Sequence, residues 1–274
     1  MAAIASERRP NQTIDPENQE RQAQATLRAR AGPASYRMTA RIVGVLYLAG
    51  MVVGVAGSGL IQSIVAAPDH LSTVTANSMT LAIGAMLVMM AAVWDAAHGI
   101  LMFPVLKQHG ERIAFGYLGY RIVDAVFIGL WVLFLLLQIP LGREYLKAGA
   151  DASYLQALSA VSIQASLYAY QIAMIFVGLA GVLLCYTFYR ARMVPRLVAV
   201  WGLAGYAIHL GGAVLEVLGF DLGLIPVVPG GLWELFIGVW LIAEGFSSSP
   251  LPSEPTTSPT TPVRTSPEVG SATA

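Results

Sequence analysis

The sequence predicts an all-α, polytopic membrane protein with six transmembrane helices and both termini in the cytoplasm. Three observations carry that expectation. Of 274 residues, 56% are apolar and 12% charged, about half the charged fraction of an ordinary soluble domain. Six apolar runs approach the length of about 20 residues that crosses a bilayer. Lys and Arg crowd into alternate links between those runs, which is how cytoplasmic loops are marked. The zero net charge gives no sign of a nucleic-acid partner. Cys185 is the only cysteine, so intrachain disulfides and thiolate metal clusters are excluded.

Residues 1–38 are rich in Arg, Gln, Glu and Asn and read as a disordered cytoplasmic tail, the alternative being a basic helix over Glu17–Ala31 on lipid headgroups. The first apolar core begins at Ile42, too far in for a cleavable signal peptide, so the first span directs insertion. The membrane domain is expected over residues 39–246. Its first span is Ile42–Val65, uncharged, with Gly50, Gly54 and Gly57 forming a stripe for another helix or a second copy of the chain. Ala66–Thr80 reads as a polar link.

The second and third spans, Leu81–Leu106 and Phe115–Ile139, each hold an ionisable pair three residues apart, Asp95 with His98 and Arg121 with Asp124. That spacing puts both members on one helical face. The intervening turn is short, which makes these spans antiparallel neighbours. Leu141–Ile163 is longer and mixed, and within it Tyr154, Leu155, Leu158 and Val161 at helical spacing suggest an amphipathic piece at the interface. The fourth span follows at residues 164–188, with Gln164, Gln171 and Gly178 on one face.

The fifth span, Arg196–Leu218, repeats Gly202, His209 and Glu216 every seven residues, the mark of a buried membrane-helix face. An apolar, proline-bearing connection over 219–229 leads to the sixth span at 230–246, aligned on Gly231, Glu234, Gly238 and Gly245. Residues 247–274 are rich in Ser, Thr and Pro and read as disordered.

Several phrases in this order carry a family likeness. They are Ala40-Arg41-Ile42-Val43-Gly44-Val45-Leu46-Tyr47-Leu48, Tyr120-Arg121-Ile122-Val123-Asp124-Ala125, Val194-Pro195-Arg196, Trp233-Glu234-Leu235 and Val239-Trp240-Leu241. Over roughly Ala40 to Phe246 the chain resembles the prokaryotic integral membrane proteins grouped as domain of unknown function 4386. The resemblance implies the membrane fold and a cell-membrane location. It implies no activity.

Candidate site residues follow from the cost of burying charge in lipid. Helix rise places Asp95 and Asp124 roughly 15 Å, and His98 and Arg121 roughly 10–12 Å, from the cytoplasmic ends of their spans. His209 falls at a similar depth, with Glu216 and Glu234 expected together nearer the outer surface. Four carboxylates, Asp95, Asp124, Glu216 and Glu234, then face the single fixed cation Arg121. Surplus acid in lipid must be protonated, hydrated or matched by a bound cation. The main reading is a polar cavity that binds or transports a small polar or cationic solute, or protons. The structural alternative is that Arg121 and its carboxylates only join helices and that His209 is a satisfied core histidine. A non-catalytic interaction or sensor subunit is a third reading. A fourth is an intramembrane hydrolase with Asp95, His98 and His209 on a metal. No Gly-x-Ser-x-Gly elbow, His-Glu-x-x-His pair or phosphate-cradling glycine loop is present, so no enzyme class or cofactor is indicated.

Overall fold

Six membrane-length helices close into a ring in chain order. The structure is a computed structural model that describes residues 33–148 and 152–247. Expectations for residues 1–32 and for the tail from 248 onward lie outside the described residues. The helices are α1 (Pro33–Val65), α2 (His70–Ala76), α3 (Ser78–Lys107), α4 (Glu111–Leu136), α5 (Gln138–Ala148), α6 (Ser153–Ala191), α7 (Arg196–Val217) and α8 (Val228–Ala243). A single 3-10 turn, Ile225–Val227, leads into α8. α1, α3, α4, α6, α7 and α8, with the segments that continue α4 and α8, are long and apolar enough to cross a bilayer. Each packs on its chain neighbour, and α8 returns to α1.

Close backbone approach locks the ring at glycines. A Cβ on Gly57 would lie 2.8 Å from the Gly84 carbonyl oxygen, and one on Gly84 would lie 2.9 Å from that of Gly57. α1 meets α8 in the same way, a Cβ on Gly44 falling 2.5 Å from the carbonyl oxygen of Gly238. Such contacts suit membrane helices, which gain little from burying apolar side chains against lipid-like neighbours. The expected stripe on α1 is therefore divided. Gly57 packs, whereas Gly50 has no neighbour within 4 Å and opens inward.

Both ends of the described chain lie on one face of the bundle. Tyr36 Oη accepts a hydrogen bond from Gln108, Arg37 lies against Gly245, and Ser247 N donates to Met193 O over 2.8 Å. Arg37, Arg41, Lys107, Arg112, Arg190, Arg192 and Arg196 belong to this face. The opposite face carries α2 and α5, which pack together and cover that end. Gln138, fully buried, accepts from Ser159 Oγ over 2.5 Å, and Ser159 Oγ lies 2.7 Å from His70 Nε2.

Three expected boundaries change. α1 begins at Pro33 rather than at residue 42, because its extra turns find partners at Gln108 and Gly245. The link at 66–80 contains α2, capped where Asp69 Oδ1 accepts from Ser72 N over 3.4 Å. The amphipathic piece and fourth span are one 39-residue helix, α6, roughly 58 Å long and so far longer than a bilayer core. Ser159, Ser162, Ser166, Ala169, Ala173 and Ala180 are buried along it; of the expected face Gly178 is buried against Leu210, whereas Gln164 is exposed.

Two apolar clusters divide the bundle across its thickness. The inner one joins Val43, Met102, Leu106, Leu184, Phe188 and Leu241, and seals the face that carries the termini. The outer one is built from α1 to α4 and α6 through residues such as Ile61, Val88, Trp131 and Ala169; α7 and α8 contribute none of its buried members. The space left beside α7 and α8 is the cavity.

Candidate functional site

Arg121 is the centre of the site because α4 turns Tyr117, Arg121 and Asp124 to one buried face at i, i+4 and i+7. Opposite stands Gly99 of α3, whose missing side chain admits the arginine stem: a Cβ there would lie 3.0 Å from Arg121 Cβ. Arg121 Nη1 lies 3.3 Å from Asp95 Oδ1 and 3.6 Å from Asp124 Oδ2. Its Nε donates to Tyr117 Oη over 3.3 Å, and that hydroxyl lies 2.7 Å from His98 Nδ1. A guanidinium only donates, so Tyr117 accepts there and its own hydrogen is free for Nδ1. The neutral His98 ring then carries its proton on Nε2, an assignment that follows from the network.

The two acids differ in setting. Asp124 is 2% exposed and lies behind Arg121, while the Asp95 side chain is 45% exposed and opens on the cavity. One guanidinium nitrogen therefore ties a buried carboxylate to an accessible one.

A second cluster stands across the ring. Tyr206 Oη donates to Glu234 Oε1 over 2.6 Å, and the Tyr206 ring meets Trp233 edge-on at 5.5 Å. Trp233 Nε1 donates to Val198 O over 2.8 Å, which fixes the ring's orientation. Tyr47 of α1 joins the clusters, its ring centroid 4.5 Å from that of His98 and 6.5 Å from that of Trp233.

Between the clusters lies a cavity of about 230 Å³, lined by all six membrane-length helices. Asp95, His98, Arg121, His209 and Glu234 line it, with Trp94, Trp131 and Tyr170 among the aromatic walls. Four buried polar atoms in or beside it have no hydrogen-bond partner: Tyr47 Oη, His98 Nε2, Asp124 Oδ1 and His209 Nε2. His209, a satisfied core histidine on the structural alternative, has the Met174 backbone on one side and an unpartnered nitrogen on the other.

Glu216 is the sequence-derived candidate that the structure places elsewhere. It accepts from Leu222 N at 2.7 Å and Gly223 N at 2.8 Å, and so organises the turn before α8. Glu234 lies two turns into α8 beside Tyr206, so the two glutamates do not sit together. Nor do Asp95, His98 and His209 form a metal triad: among the described residues no three His, Cys, Asp and Glu side chains converge to hold an ion. Tyr47, Tyr117 and Tyr206 were not singled out from the sequence. Tyr117, four residues before Arg121, and Tyr206, three before His209, share a face with a singled-out residue, which is the usable signal.

These features define a multi-pass α-helical membrane protein with an ionisable cluster in an intramembrane cavity. The family model described as domain of unknown function 4386 matches residues 42–245, and the chain belongs to that family. No curated protein and no solved structure gives a match.

Proposed function

We propose that the chain is a binding or transport protein of the cytoplasmic membrane, with its termini in the cytoplasm, whose cavity takes a small polar or cationic solute or protons. The observation that carries this reading is a charge imbalance around enclosed space. With Glu216 withdrawn to the outer turn, Asp95, Asp124 and Glu234 stand against Arg121 alone among the described Lys and Arg side chains near the cavity. A mobile positive charge reduces that mismatch, and the accessible Asp95 and Glu234 are its natural contacts. Asp124 is a positioning residue that holds Arg121 from behind.

The inner cluster seals the side that carries the termini, so the cavity serves the outer half of the bundle. Orientation rests on the Arg and Lys residues gathered at the sealed face.

The test is a melting-temperature screen of the full chain in nanodiscs against inorganic cations, organic cations, neutral polar solutes and anions. Cations, or acidification as the proton arm, should raise the melting temperature of the parent, with the effect reduced in Asp95→Asn and removed in cavity-filling Gly50→Phe. Silence across the whole screen, or shifts that persist in Gly50→Phe, would contradict the proposal.

A further inference from the structure

We propose that the cavity's occupant is a protonated amine carrying an apolar body; this rests on the cavity reading and gives it a ligand class. The lining sets the Asp95 and Glu234 carboxylates and the His209 ring beside two unpartnered donors, the Tyr47 hydroxyl and His98 Nε2–H, and its charged groups open to the space are acids. Asp95 is open to the space while paired to Arg121 on one side. Glu234 uses Oε1 for the Tyr206 hydroxyl, which leaves its second carboxylate oxygen available at the wall. His209 Nε2 has no partner although the residue is only 6% exposed. When the opposite ring nitrogen faces the Met174 backbone, a neutral His209 presents a lone pair inward. The one permanent cation of the lining, Arg121, is already directed to Asp95, Asp124 and Tyr117.

A ligand suited to this wall donates several hydrogen bonds and carries positive charge. An ammonium group does both. Asp95 and Glu234 both line the space, so one ammonium placed between them is attracted to two carboxylates. The remaining walls are aromatic and apolar: Tyr47, Trp94, Trp131, Tyr170 and Met174. Aromatic faces attract cations, and the rings accept a hydrocarbon body that a hydrated metal ion lacks. The volume of about 230 Å³ lies just below the usual range of small-molecule sites, which favours a compact amine over a drug-sized one. Anions are opposed by both carboxylates.

The experiment uses the full chain in nanodiscs, with fluorescence from Trp94 and Trp131 as reporter. Two near-isosteric probes are titrated, 2-phenylethylamine in its ammonium form and neutral 2-phenylethanol. The amine should bind saturably and about tenfold more tightly than the alcohol. Glu234→Gln and Asp95→Asn should each erode that preference while unfolding near the parent temperature. If Asp95→Asn fails to fold, the alcohol comparison and Glu234→Gln decide. Equal affinity for both probes, or a preference that survives in the variants, overturns the amine assignment. Should both probes bind equally and both be lost in Gly50→Phe, the cavity reading stands without the amine. Should neither bind and the wider solute screen also be silent, both readings fall.

Discussion

Arg121 Nη1 sits 3.3 Å from Asp95 Oδ1, yet the arginine side chain is 3% exposed and the aspartate 45%. The cation is held inside the protein and one of its partners faces open space. That asymmetry sets Asp124, held in the core, apart from Asp95, open to the cavity.

Removing Arg121 leaves Asp124 buried without its cation. Arg121→Gln should destabilise the protein by about 3–5 kcal/mol, the usual cost of breaking a buried pair from one side. Arg121→Leu combined with Asp124→Leu should recover much of the loss, since no charge is then stranded. Thermal unfolding of the purified variants checks both statements.

Tyr117 links Arg121 to His98 through one hydroxyl. Tyr117→Phe should cost about 1–3 kcal/mol, because two buried partners lose their bond. In a double-mutant cycle with His98→Leu the two changes should be non-additive. Strict additivity in chemical denaturation would show that the hydroxyl does not couple them.

Two glycines on α1 make a matched pair. Gly57→Val collides with the Gly84 backbone and with Leu87, so it should cost about 1–3 kcal/mol through overpacking. Gly50→Ala meets nothing within 4 Å and should leave the melting temperature nearly unchanged. Equal effects at both positions would show that the α1–α3 contact is placed wrongly.

Orientation is tested by labelling. With Cys185, which is buried, replaced by alanine, an impermeant maleimide should modify Glu144→Cys on intact spheroplasts. Arg192→Cys should react only after lysis. The reverse pattern would invert the topology.

The spans and their pairing were legible because membrane length, flanking charge and short links are properties of the chain itself. The heptad of Gly202 and His209 marked the packed face of α7 correctly, since a helix face needs only spacing. That Arg121 would meet Asp95 or Asp124 followed from antiparallel neighbours at matched depth; the structure sets it against both. Glu216 was misplaced because its heptad position says nothing of the turn at 217–227, whose backbone amides it binds. The run of α6 through residues 153–163 was hidden by mixed polarity: its serines face inward and donate to Gln138 or to backbone carbonyls. Nothing in the sequence shows that Tyr47 and Tyr206 meet the two clusters. Their roles depend on helix rotations that spacing within one helix does not contain.

A cavity that attracts positive charge through Asp95 and Glu234 should reveal it at residue 50. A cysteine at Gly50 on a Cys185→Ala background stands in the lining with room around it. Reaction rates with a cationic and an anionic thiosulfonate of similar size should differ by about tenfold or more in favour of the cation. The ratio should fall toward that of a free thiol when Asp95→Asn and Glu234→Gln are combined. A cysteine that reacts equally with both reagents, or a cation preference untouched by losing both acids, would contradict the account.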